Sequence, residues 1–275
     1  MTTTQLFMST WRWDPTVLLG CAALLAAYAG LLRRLVPAAL LFGAGVATLL
    51  LSLVSPIDTL GDTYLVSAHM VQHLLLLLIV PPLLLLGIPP QAGARLLAWA
   101  PARRLERVLS RPALAWVLAV STIWVWHVPA LYDAALADEG LHVVEHLCFL
   151  ITATIFWWPV LHPVPARRLD VGAVLIYLVS AALASDLLGI IITFAPTGLY
   201  PPYLHPPNPH GVLTLLRDDW GLSPATDQQI AGVLMWIFGS LPYLAVILGT
   251  LARWLDEPEA DLRVRAPGPA LTEEA

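Results

Sequence analysis

Residues 67–87 read SAHMVQHLLLLLIVPPLLLLG. The run has no charged side chain and is long enough to cross a bilayer core, which takes about 20 apolar residues. Yet it carries His69 and His73 four residues apart. On a helix that spacing puts the two imidazoles about 40° apart around the axis and roughly 6 Å along it. Ionisable side chains inside a membrane are costly and usually face a bundle interior or a cavity. This stretch therefore predicts a transmembrane helix whose inward face has a job beyond packing.

The rest of the chain agrees with a membrane setting. Of its 275 residues, 58% are hydrophobic and only 12% charged, where soluble domains carry about 25% charged residues. The predicted fold is all-α: a polytopic bundle of seven transmembrane helices over 15–32, 36–54, 64–87, 112–131, 141–161, 171–195 and 228–252. A short N-terminus (1–14) precedes the bundle (15–254). A proline-rich loop (196–227) joins the last two helices, and a tail (255–275) expected to be disordered follows. The 14 basic residues are all arginine. Without lysine there is no retinal Schiff base, and without a basic block there is no nucleic-acid partner. Cys21 and Cys148 lie on different predicted helices and form no Cys-x-x-Cys motif. Arg33 and Arg34 follow the first apolar run rather than precede it, so that run reads as a retained helix and not a signal peptide.

Arginine placement orients the bundle. The loops after helices 1, 3 and 5 and the tail hold Arg33, Arg34, Arg95, Arg103, Arg104, Arg107, Arg111, Arg167, Arg168, Arg253, Arg263 and Arg265, against Arg12 and Arg217 on the other side. The positive-inside rule puts the N-terminus outside and the C-terminus in the cytoplasm. Trp11, Trp13, Trp126 and Tyr132 are then expected at the outer interface, and Trp99, Trp157, Trp158 and Trp254 at the inner one. Pro81-Pro82 is expected to kink the third helix. Residues 102–109, ARRLERVL, read as a short interfacial helix.

With that topology, His69, His73, His127, His142 and His146 all fall in the outer half of three consecutive helices. His205 and His210 fall in the outer loop, and His162 is cytoplasmic. Two i,i+4 pairs with His127 between them are able to converge on one ion. Neutral imidazole suits zinc, copper, iron and nickel. Met70 and Met235 would add thioethers that favour cuprous ion, although Met70 points about 100° away from His69. Asp186, mid-way along the sixth helix, is an acceptor for an imidazole N–H, a proton relay or a packing hydrogen bond. Against these readings, any single intramembrane histidine also serves as a hydrogen-bonded packing residue. The sequence HVVEH matches the pattern in which His142 and His146 bind zinc and Glu145 is a general base; Glu145 is otherwise expected to be a solvated carboxylate at the membrane surface. A metal permease and a haem-binding cytochrome remain rivals. A permease lacks a polar path below the histidines, and the nearly histidine-free inner half leaves room for one outer haem at most.

Four stretches together, SAHMVQHLLLLLIVPPLLLLGIP, WHVPALYDAAL, LHVVEHLCFLITATIFWWPVL and DQQIAGVLMWIFGSLPYLAVILGTLARWL, resemble the multi-helix bacterial CtaG family of cytochrome c oxidase assembly factors. The resemblance covers about 15–252. It implies a multi-pass plasma-membrane protein that supports oxidase maturation by handling copper, with oxidase subunits or copper-delivery proteins as partners. By motif match the family-like residues are His69, His73, His127, His142 and His146, with Asp133, Asp227, Gln228 and Met235 nearby. The combined expectation is a non-enzymatic assembly factor with a metal held by the five histidines, copper first and haem or zinc as alternatives. Glu145, Asp133, Asp186 and Met235 are expected around that metal.

Overall fold

The computed structural model describes residues 2–32 and 37–256. Among them there is no strand. The helices are α1 (Thr3–Ser9), α2 (Pro15–Leu31), α3 (Ala38–Val54), α4 (Pro56–Thr63), α5 (Val66–Leu86), α6 (Pro90–Ala98), α7 (Ala100–Leu109), α8 (Pro112–Trp126), α9 (Pro129–Ala137), α10 (Glu139–Leu161), α11 (Val171–Phe194) and α12 (Pro224–Leu255). Arg33, Arg34, Arg263 and Arg265 fall outside the described residues, as does the tail from 257.

Four of these helices, α5, α10, α11 and α12, are each long and apolar enough to cross a membrane. Two more crossings arise only if a bent pair counts as one span: α3 with α4, bent by 43°, and α7 with α8, bent by 74°. The first predicted span, α2, is apolar but has 17 residues. Of the seven predicted spans, four fall on continuous helices of sufficient length, two fall in bent pairs, and the first falls on a short helix. The large apolar side chains Ile176, Leu183 and Phe194 of α11 lie largely exposed on the bundle exterior, which is the surface lipid would cover.

Proline chemistry sets the breaks. The fourth predicted helix was drawn to 131 but stops at Trp126, because Pro129 offers no N–H and holds Val128 in an extended conformation (φ −63°, ψ 125°). Ser55 ends α3 and starts α4: its hydroxyl accepts from the Ile57 amide, with Pro56 in the first helical turn. Asp14 and Pro15 open α2 in the same way, and the Thr16 hydroxyl and amide hold the Asp14 carboxyl below its ordinary range.

Pro81-Pro82 lies just after a local change in helix geometry. The helix continues through it as one 21-residue span, and the disturbance takes the form of a π turn over Leu75–Ile79. Pro81 cannot donate to the carbonyl of Leu77. The indole of Trp157 on α10 donates to that carbonyl instead, at 3.0 Å. Trp157 is fully buried, so it is not the interfacial anchor the sequence suggested; Trp126 and Tyr132 are buried too, in the main core. Trp11, Trp13, Trp99 and Trp254 are exposed.

Helix α12 crosses closely over α11. A Cβ on Gly232 would lie 2.5 Å from the Thr193 amide nitrogen and 2.6 Å from the Gly189 carbonyl, so only glycine permits this approach. Below it, Phe156, Trp157, Tyr177 and Tyr243 stack into an aromatic core, with the Tyr177 hydroxyl donating to the Phe156 carbonyl.

Trp157→Phe should lower stability by about 1–2 kcal/mol, the range for one intramembrane hydrogen bond. Trp158→Phe is the control, because its indole N–H has no protein partner. Unfolding in mixed detergent micelles should separate the two. Equal losses would mean that ring packing, not the Leu77 carbonyl, is what Trp157 serves.

Candidate metal centre

The N-terminal turn of α5 is where the site begins. Leu65 precedes the helix and supplies no side-chain cap. The cap comes from α12: the Asp227 carboxylate accepts from the amides of Val66 (2.8 Å) and Ser67 (3.1 Å) and from the Ser67 hydroxyl. Charge-assisted bonds of this kind satisfy the unpaired amides of a helix start. They also fix the rotation of α5 and therefore the direction of His69 and His73. Next to it, Gln228 ties down the loop after α11. Its oxygen accepts from the Gly198 and Leu199 amides, and its nitrogen donates to the Ala195 and Pro196 carbonyls.

Helix α4 folds back against α5 at the level of His69. A Cβ on Gly61 would come within 2.9 Å of the His69 Cα. That close approach carries Asp62 to the imidazoles. The structure brings the five predicted histidines together. Ring centroids are 4.2 Å apart for His69 and His73, 5.2 Å for His69 and His142, 4.2 Å for His142 and His146, and 5.3 Å for His73 and His127.

Two overlapping ligand sets result. One nitrogen each from His69, His73 and His146 lies within 4.8 Å of the others, and so do the ligand atoms of Asp62, His69 and His142. His127 belongs to neither set and sits against His73.

Hydrogen bonds assign the tautomers of two imidazoles. His127 Nδ1–H donates to the Ile123 carbonyl at 2.7 Å, leaving Nε2 with the lone pair. The Tyr203 hydroxyl donates to the Gly61 carbonyl at 2.6 Å, so its oxygen accepts from His69 Nδ1–H at 3.3 Å. His69 Nε2 is then free to ligate, as in metal sites where the other ring nitrogen is tied off.

The site is dense in buried atoms with no partner among the protein's own groups. They include Nε2 of His69, His73, His127, His142 and His146, His73 Nδ1, Asp62 Oδ1 and both oxygens of Glu145. Native proteins leave few such groups. Their mutual proximity is what a cation would resolve, and the imidazole and carboxylate donor set suits a first-row transition ion.

Glu145 is fully buried, with Oε1 3.5 Å from His73 Nε2. This corrects the expectation of a solvated surface carboxylate: α10 turns that face inward. Asp186 lies away from the histidines and accepts from the Ser240 hydroxyl at 2.7 Å, the packing alternative of its three readings. Asp133 is half-buried with an unpartnered Oδ1 and belongs to neither ligand set. Met70 and Met235 are buried among the apolar core side chains.

Sequence reasoning missed Asp62, Asp58 and Arg12. Arg12 reaches Asp62 at 2.6 Å, Asp58 at 3.5 Å and Glu139 at 3.7 Å. The spacing of Asp58 and Asp62, one turn apart just before the histidine helix, was the available signal. The loop also contributes two tyrosines that sequence did not single out. Tyr200 stacks on Tyr132 at 3.9 Å and donates to the His127 carbonyl. With Tyr203 it covers the cluster, whereas His205 and His210 stay exposed.

A family model described as cytochrome c oxidase caa3 assembly factor matches residues 18–257. The chain belongs to this family. It is also 24% identical over 273 residues to uncharacterized proteins of Mycobacterium bovis and Mycobacterium tuberculosis, covering 90% of this chain and 40% of each relative. An uncharacterized protein of Mycobacterium leprae is 24% identical over 226 residues, covering 76% of this chain and 33% of its own length. The chain thus spans about a third to two fifths of the length of the mycobacterial relatives it matches. No solved structure matches it.

Asp227→Ala should cost about 1–3 kcal/mol, because it leaves buried amides without an acceptor. Hydrogen exchange at Val66 and Ser67 should accelerate while α11 is unaffected. Unchanged protection at those two amides would mean that packing alone orients α5.

Proposed function

We propose that the protein supports maturation of cytochrome c oxidase in the bacterial plasma membrane by holding a copper ion in the histidine cluster on the outer side. The observation that carries this reading is the convergence of unpartnered buried ligand atoms from α4, α5 and α10. Family membership supplies the process. An ion there would be bound by His69, His73 and His146, and it would supply a transferable metal for the oxidase. Glu145, whose Oε1 lies 3.5 Å from His73 Nε2, would balance its charge. His127 would back His73, and Tyr132, Tyr200 and Tyr203 would exclude water. Oxidase subunits and copper-delivery proteins are the partners this role implies.

Seven crossings and an external N-terminus go with the proposal. The four long spans, the two bent pairs and α2 together supply seven apolar segments. Arg12 and Arg217 sit at the histidine end, and the other described arginines lie towards the opposite end, as the positive-inside rule asks.

The geometry favours this over the rivals. Imidazoles packed 4.2–6.2 Å apart suit one ion rather than the plane of a haem. His142 and His146 of the HVVEH motif fall in different ligand sets, which speaks for a non-enzymatic site over a zinc hydrolase. Below the cluster Leu76, Leu77 and Leu78 are buried, so a permease would lack polar footholds there.

His73→Ala should weaken copper binding by at least the 10–100-fold typical of losing even an outer partner. Metal analysis of the purified protein, with circular dichroism as the folding control, measures this. Oxidase purified from the variant strain should be copper-deficient; normal copper content would refute the role. A Soret band in the wild type would favour haem. Retained oxidase maturation in Glu145→Gln would remove the hydrolase reading.

A further inference from the structure

A cavity of about 480 Å³ opens between the histidine-end halves of α2 and α10. Its inner wall is apolar, formed by α2, α3 and α10. Its polar end is formed by Arg12, Asp58, Asp62, Glu139, His142 and His146. His69, His73 and His127 do not line it. One ligand set reaches it through Asp62 and His142, the other through His146 alone. Asp62 and His142 keep 18% and 12% of their side chains exposed, while His69 and His73 lie buried behind them.

The sets share His69. A neutral imidazole has one lone pair, and Tyr203 engages Nδ1 of His69. That leaves Nε2 of His69 as its one ligand atom, so the two sets would be filled one at a time. An ion held by Asp62, His69 and His142 would pass to the deeper set by exchanging Asp62 and His142 for His73 and His146 while His69 stays bound.

Arg12 stands at the mouth. Its Nη1 lies 2.6 Å from Asp62 Oδ2, and its backbone amide is held by the Val54 carbonyl at 3.0 Å. The neighbouring Thr10 carbonyl accepts from the Thr59 hydroxyl, which fastens this segment to α4. The guanidinium is permanently charged. It leaves Asp62 Oδ1 facing His142 Nδ1 at 3.6 Å, with no hydrogen-bond partner.

We infer that Asp62, His69 and His142 form an outer station that receives a transition-metal cation from the lateral cavity and passes it to His69, His73 and His146, and that Arg12 is a tethered cation the incoming ion must displace from Asp62. The inference rests on the metal-holding reading above. It adds a route, an order of ligation and a gate.

The test follows the rate at which the purified full-length protein in detergent takes cuprous ion from a chromophoric chelator under anaerobic conditions. Removing a fixed charge from a focused path changes arrival rates by tenfold or more. Arg12→Gln should load on the order of tenfold faster, and Asp62→Asn on the order of tenfold slower, both reaching the wild-type stoichiometry. Arg12→Lys retains the charge and should load like the wild type, so a rate change shared by both Arg12 variants would indicate loss of structure rather than of the gate and would overturn the gating role. His73→Ala should keep a weaker binding step that Asp62→Asn removes. Wild-type loading rates in Arg12→Gln and Asp62→Asn, with binding still lost in His73→Ala, would overturn the outer station and leave the metal centre standing. No binding by the wild type or by Arg12→Gln would overturn both.

Discussion

The site depends on one carboxylate. Asp227, fully buried at the start of α12, closes the amides at the start of α5. In a membrane setting those amides have no water to turn to. The helix start also carries partial positive charge, so an anion is the favoured partner. This single contact joins the last helix of the chain to the one bearing His69 and His73. Through Gln228, the next residue, the same helix start also holds the loop that brings Tyr200 and Tyr203 over the imidazoles. Rotation of α5 and closure of the loop are thus set by two adjacent side chains.

Around that anchor the backbone is irregular where the chemistry lies. Helix α3 breaks into α4 at Ser55-Pro56, α8 breaks before α9 at Pro129, and α5 widens into a π turn below His73. Each break has a local cause and a consequence for the cluster. The first lets Gly61 lie on His69 and delivers Asp62. The second leaves His127 at the end of α8 with its carbonyl open to Tyr200. The third is stabilised by Trp157, which supplies the donor that Pro81 lacks. Straight spans would pack equally well in lipid but would keep the carboxylates of α4 away from the imidazoles.

The cluster has a polar balance unlike that of histidines kept for packing. A histidine kept for stability finds acceptors for its N–H and donors for its lone pair. Here His69 and His127 place one nitrogen against a fixed partner and leave the other unpartnered, while His73 faces the buried Glu145 and His142 faces the arginine-paired Asp62. Arg12 compensates Asp58, Asp62 and Glu139 from the cavity side, so the region is cation-seeking at its surface and ligand-rich within.

Much of this was legible in the residues themselves. Apolar length marked the helices, because a bilayer core demands it. The i,i+4 spacing marked His69 with His73 and His142 with His146 as pairs, because helical periodicity is local. The four motif stretches pointed to the family. Other features were not local and so could not be read. That Glu145 faces inward, that Asp186 pairs with Ser240, and that Trp126, Tyr132 and Trp157 are core residues all depend on which face each helix turns to its neighbours. The contributions of Asp62 and Arg12 depend on the fold-back of α4 and on a contact about 50 residues away in sequence. The sequence by itself determined an all-helical, lipid-compatible chain with paired imidazoles. Only the tertiary structure decided which atoms meet, because helix rotation and close approach are set by distant partners such as Asp227 and by the room that Gly61 and Gly232 leave.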